Sequence, residues 1–273
     1  MPSFFNGKII FIHIPKCAGK SVRSALMNYQ INKRPDLQDN IELYRWHESL
    51  IELQQVHGND INNSCIISTI RHPAERAVSW WKYLKKANTQ SYLANNKFDM
   101  LASEKPLLSP IDVKNYHGRP LSCKHRINQT EVEKFNSLSF EEYLEKTTMW
   151  KIDGCPEPYC PYHQLSPQVA WLCGPDGNIR MNKLNLFLVE RLSELQEFLP
   201  DFGHIENKIA AFESDKQEGH IKDLTTKSLI TLKRLYTQDF QLYDILKSRP
   251  SNYYELFDEN KIKRNSFATL NFG

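Results

Sequence analysis

The segment from Ile9 to Ile14 constrains the fold more than any other part of the chain. Ile9, Ile10, Phe11, Ile12 and Ile14 make it nearly continuous in apolar, β-branched and aromatic residues. Such a run is expected for a strand buried on both faces. Pro15 stops it, because proline has no N–H to give to a ladder. Lys16, Cys17, Ala18, Gly19, Lys20 and Ser21 follow as a tight turn of mostly small residues. Val22, Ala25 and Leu26 then recur at helical spacing. A strand, a short turn and a helix N-terminus together make an anion site. Successive backbone N–H groups point into the turn, and the helix end adds partial positive charge. Lys16 puts a full charge at the mouth, and Ser21 offers a hydroxyl. An ordinary strand-to-helix turn with two surface lysines would carry the same residues.

The pattern recurs twice. Ser64 to Ile70 (SCIISTI) predicts a second buried strand, followed by Arg71-His72-Pro73. Pro73 suits the first turn of a helix, and Ala77, Val78, Trp81 and Leu84 give that helix one apolar stripe. Leu184 to Val189 predicts a third core strand. Buried strands that feed helices imply a three-layer α/β fold, with a central parallel sheet and a P-loop-like, phosphate-binding strand-loop-helix. Ligands in such sheets bind beyond the carboxyl ends of the strands, where Lys16 to Ser21 and Arg71 to Ser79 both fall.

Elsewhere the signals are more ordinary. Residues 28–40 read as a polar loop, and residues 50–58 as an amphipathic helix. Ser139 and Glu142 fit a capping box at the start of a helix. Residues 192–199 predict a short helix, and residues 224–247 one long helix. The 273 residues are expected to form a single domain with an irregular excursion at about 88–136.

A net charge of +3 is too small to argue for nucleic acid. No apolar run approaches ~18 residues, so no membrane span is expected. With no signal-peptide pattern either, a cytoplasmic protein is expected. The six cysteines are then expected as thiols. Cys155, Cys160, His163 and Cys173 form the one Cys/His cluster, but their spacing is not a standard zinc pattern, and no metal is expected. Cys17 lies in an electropositive turn, which favours the thiolate, and its small size lets the backbone close on a phosphate.

Two kinds of chemistry compete for the first loop. A P-loop needs Gly, four residues, then Gly-Lys-Ser/Thr. Gly19, Lys20 and Ser21 supply the end, but Ile14 stands at the first position. A nucleoside-triphosphate kinase using Lys20 and Ser21 would also need a Mg²⁺-holding Asp at the end of the second strand, where Ile70 and Arg71 stand. The segment Phe11-Ile12-His13-Ile14-Pro15-Lys16, with small residues and Ser21 after it, instead resembles the phosphosulfate loop of the sulfotransferases that use 3′-phosphoadenosine-5′-phosphosulfate (PAPS). Lys20 departs from the Thr usual there.

Arg71, Pro73 and Ser79 are similar to the same family's 3′-phosphate motif, an Arg-x-Pro segment with Ser eight residues after the Arg. Tyr162 to Gln168, Gly174 to Asn178, Phe187 to Arg191 and Leu224 to Leu246 match its later segments in order. The resemblance is to the carbohydrate type, similar to heparan and chondroitin 2-O-sulfotransferases and bacterial relatives. It implies PAPS as co-substrate, no metal, and a hydroxyl acceptor, a saccharide first. Lys16, Cys17, Ala18, Gly19, Lys20 and Ser21 would hold the 5′-phosphosulfate, and Arg71 and Ser79 the 3′-phosphate. His47, placed between the two motifs and before a helix, would be the general base, with Lys16 stabilising the departing phosphate. A nucleotide-binding protein without catalysis would keep Arg71 and Ser79 but not need His47.

Overall fold

The computed structural model describes residues 2–36, 42–43, 49–57, 61, 63–93, 136–148, 167–173, 179–180, 184–199, 224–250 and 269–270. Its strands are β1 (Pro2–Phe4), β2 (Ile9–Ile12), β3 (Glu42–Leu43), β4 (Cys65–Ile70), β5 (Ile179–Arg180), β6 (Leu184–Leu188) and β7 (Thr269–Leu270). Its helices are α1 (Gly19–Lys33), α2 (Leu50–His57), α3 (Pro73–Leu93), α4 (Phe140–Thr148), α5 (Gln168–Leu172), α6 (Ser193–Phe198), α7 (Thr226–Leu235) and α8 (Thr237–Lys247).

The three strands expected from apolar runs are neighbours. β2 pairs with β4 in parallel, Ile9 opposite Cys65, and β4 pairs with β6 in parallel, from Ile66 opposite Leu184 to Ile70 opposite Leu188. The five-stranded sheet has the order β3-β1-β2-β4-β6, with β1 antiparallel to both of its neighbours. A separate antiparallel pair joins β5 to β7.

Side chains alternate across each strand, so each apolar run feeds two cores. Ile10, Ile12, Ile66, Ile70, Leu184, Leu186 and Leu188 pack on one face with residues of α2, α5 and α8, among them Leu53, Trp171 and Leu242. Ile9, Phe11, Cys65, Ile67 and Phe187 pack on the other with Val22 and Leu26 of α1 and Leu195 and Phe198 of α6. The result is the expected three layers. A further cluster joins α3, α4 and α7 through Ala74, Ala77, Leu144, Leu232 and Tyr236. The capping box opens α4: Ser139 N donates to Glu142 Oε2 at 2.7 Å, and Glu142 N donates to Ser139 Oγ at 3.2 Å.

Two expectations are corrected, and one strand is new. β1 was not visible in the pattern. It is joined to β2 through a turn in which Phe5, Asn6 and Gly7 have φ of 53°, 53° and 82°. The polar stretch at 28–40 is helical as far as Lys33, with Tyr29 and Gln30 buried. Gln30 is fully buried because its Oε1 accepts the N–H of Phe5 at 2.7 Å, which pins the turn to α1. The single helix expected at 224–247 is two, broken at Tyr236, where φ is −121° and ψ 33°. The Thr237 hydroxyl donates to the carbonyls of Lys233 (2.8 Å) and Arg234 (3.3 Å), occupying acceptors of the last turn of α7.

Gln30→Ala strips the buried Phe5 N–H of its acceptor, so urea unfolding is expected to register a loss of about 1–3 kcal/mol. A change under about 0.5 kcal/mol, the size of an ordinary surface substitution, would mean that the turn holds without α1.

Candidate functional site

The chain leaves β2 and turns sharply between Pro15 and Ala18 before α1. Lys16 (φ 65°) and Ala18 (φ 58°) are left-handed, Cys17 between them is not, and Gly19 begins the helix. Such an alternation of hand is the backbone pattern from which anion-binding nests are built. Ala18 is the N-cap of α1, and its methyl group cannot cap the helix. The N–H groups of the first turn have no acceptor within the helix.

A left-handed non-glycine residue costs about 1–2 kcal/mol, so the turn must be held from outside. Cys17 N donates to Ile14 O at 3.3 Å, the Thr69 hydroxyl of β4 donates to Cys17 O, and Arg76 Nε of α3 donates to Pro15 O at 3.0 Å. Gly19 is required by close approach rather than by its φ. A Cβ there would lie 1.7 Å from Cδ2 and 2.0 Å from Nε2 of the buried His13 ring.

Arg71 lies just beyond β4, next to β2 in the sheet. Its Nε pairs with Glu75 Oε2 at 3.3 Å. Glu75, Ser79 and Tyr83 follow at four-residue steps along α3 and so share one side of it. The Lys16 Nζ sits 4.7 Å from the centre of the Tyr83 ring, so this side of α3 borders the mouth of the turn. Ser21 is buried, Ser79 is partly exposed and Lys20 is exposed. His47 lies outside the described residues, as do Glu48, His117, His125, Cys155, Cys160 and His163; Cys173 is a buried free thiol. Among the described residues no group of three or more His, Cys, Asp or Glu is placed to hold a metal ion.

The electropositive turn does not favour the Cys17 thiolate. Burial pushes its thiol up to about 11, against the smaller downward pull of Arg76 and Arg71. The thiol is instead a hydrogen-bond donor, reaching Gln168 Oε1 at 3.1 Å. Burial likewise pushes His72 below the usual imidazole value, between the rings of Phe240 and Tyr243 at 5.4 Å and 4.9 Å. Its neutral ring is packing, not a charge.

Beneath the turn lie buried polar residues to which the pattern assigned no role. Gln168, at the start of α5, pairs with both backbone groups of Arg71: its Oε1 accepts Arg71 N–H at 2.9 Å, and its Nε2 donates to Arg71 O at 2.9 Å. Asp239 of α8 accepts the N–H groups of Gln168 (2.7 Å) and Val169 (2.9 Å). Burial pushes this carboxyl up, while Arg76 and the two N–H groups draw it back. Asp239 left one signal, an acid amid the apolar positions of a helix. Gln168 left only a polar residue at the head of an apolar run.

The ends of β2 and β4 thus bring together a turn with two left-handed residues, Lys16 at its mouth and Arg71 beyond the neighbouring strand. The family model described as Sulfotransferase family matches residues 6–245, and the chain belongs to that family. No curated protein and no solved structure matches it. No helix among the described residues is long and apolar enough to cross a membrane.

Gly19→Ala is expected to destabilise the fold by about 1–3 kcal/mol, since a methyl group must displace the His13 ring. In a double-mutant cycle with His13→Ala the two losses should fall short of additivity by about 1 kcal/mol or more. Additive losses in urea unfolding would assign the cost to something other than that contact.

Proposed function

We propose that the chain transfers the sulfuryl group of PAPS to a hydroxyl acceptor, a saccharide by resemblance to the carbohydrate-type enzymes. The observation that carries this is the turn at Lys16, Cys17 and Ala18, left-handed at its first and third residues, beside the end of the strand that presents Arg71. A ligand with phosphates at two ends fits that pair. The nest and the first turn of α1 would take the 5′-phosphosulfate, and Arg71 with Ser79 the 3′-phosphate. Among the described residues the Arg71 Nη groups have no partner, which suits bidentate phosphate binding.

PAPS supplies the sulfuryl group and a phosphate leaving oxygen. Lys16 would offset the charge that builds on that oxygen as the sulfur–oxygen bond breaks. His47 would take the proton of the acceptor hydroxyl as its oxygen bonds to sulfur; this role rests on the family likeness of its place in the sequence. The exposed Lys20 is read as an auxiliary charge at the rim.

The test is thermal stabilisation by the desulfated product PAP against equimolar ATP with Mg²⁺. PAP at about 100 times its dissociation constant should add about 2.7 kcal/mol, well beyond ATP. Arg71→Ala should erase most of the difference. Stronger stabilisation by ATP with Mg²⁺ would replace this reading with a kinase built on Lys20 and Ser21.

His47→Ala is expected to lower turnover by about 10²–10⁴-fold while PAP affinity holds. An imidazole takes a proton only when neutral, so the parent's rate should rise with pH through ~6.5, and the variant should lose that acidic limb. Lys16→Ala should cost more turnover than Lys20→Ala. Near-parental turnover and an unchanged pH profile in His47→Ala would move the base to another group.

A further inference from the structure

The turn at Lys16 and the arginine beyond β4 sit on adjacent strands, yet their spacing is not set by the ladder. β4 pairs with β6 only as far as Ile70 opposite Leu188, and Arg71 lies one residue past that pair. At this point the Arg71 N–H and C=O would lose their partners. The primary amide of Gln168 takes both, at 2.9 Å each, as a neighbouring strand would. The pairing fixes which way round the amide sits, because only its oxygen can accept an N–H and only its nitrogen can donate to a carbonyl. The same Oε1 also accepts the Cys17 thiol at 3.1 Å. One fully buried side chain thus touches the backbone that aims Arg71 and the middle residue of the nest. It is itself held at its backbone, where Asp239 accepts the N–H groups of Gln168 and Val169.

We infer that Gln168 is a positioning residue for a ligand with two phosphates: its amide sets the separation between the turn at Lys16 to Ser21 and Arg71. It touches neither phosphate. It acts by holding the two receiving groups at one spacing, so that a ligand bound at one end meets the other without reorganising the protein. The inference rests on the reading that PAP spans these groups. The Cys17 thiol is the link to the nest, and it donates only while it keeps its proton, in keeping with the upward shift caused by its burial.

The experiment measures three dissociation constants by calorimetry, for PAP, adenosine 5′-phosphate and adenosine 3′-phosphate, on the full chain. Each monophosphate reaches one half of the site, and only PAP reads the spacing. In Gln168→Met, which keeps the volume and drops the amide, the preference for PAP over each monophosphate is expected to narrow about tenfold, the size of one or two lost hydrogen bonds. Binding of the monophosphates should stay within about twofold of the parent. Cys17→Ala, which cuts only the link to the nest, should narrow the preference in the same direction. Cys17→Ser, which restores a donor, should recover it. The serine and alanine pair decides the matter if Gln168→Met does not fold.

An unchanged preference in both Gln168→Met and Cys17→Ala would overturn the inference. So would an equal loss of all three ligands, because that is what general destabilisation produces. A parent protein that does not prefer PAP would overturn the PAPS reading itself, and the inference with it. A parent that prefers PAP beside variants that keep the preference overturns the inference alone.

Discussion

One carboxylate, that of Asp239, accepts two backbone N–H groups at the start of α5, and the geometry at the strand ends hangs on that contact. A buried charge of this kind is tolerated only where donors surround it. Here two N–H groups face it, and Arg76 draws its proton affinity back down. Arg76 is itself buried and donates to Pro15 O, so the charge that acts on Asp239 of α8 also holds the turn after β2. α5 has only five residues, Gln168–Leu172, and all are buried. Its own helical hydrogen bonds are too few to fix its direction. Asp239 fixes it at the head, and the packing of Val169, Trp171 and Leu172 fixes it along the body.

The turn between β2 and α1 is an example of local cost met by distant contacts. Lys16 and Ala18 hold a backbone hand that neither residue prefers, and the sequence around them contains nothing to enforce it. Thr69, Arg76 and Gln168 enforce it from β4, α3 and α5. The turn is thus held by the fold itself, through contacts from three separate elements.

Much of the fold was legible because three runs of apolar residues were long enough to mark strands buried on both faces. β1 and β3, of three and two residues, are too short for any period to show, and β1 interrupts an otherwise parallel order. The end of α1 was hidden because Asn28, Gln30, Asn32 and Lys33 read as a loop, whereas Gln30 is polar for the sake of a partner elsewhere. The break at Tyr236 was hidden because its flanking apolar residues keep helical spacing across it. In the site, the turn and the place of Arg71 could be read from strand ends and small residues. The state of Cys17 could not, since nearby basic residues are visible in sequence and burial is not. The roles of Gln168 and Asp239 depend on neighbours that only the folded chain supplies.

Those neighbours are far apart along the chain. Cys17 meets Gln168 across 151 residues, Arg71 meets it across 97, and Asp239 across 71. Contacts of such separation close late in folding, after hairpins and helices have formed. On a ribosome adding about 5–20 residues per second, β2 and α1 emerge many seconds before α8 does. Thr69 and Arg76 emerge early with β4 and α3, but Gln168 and then Asp239 follow only later, so until then the turn has part of its support. The set of contacts around the turn is therefore complete only once α8 closes on α5.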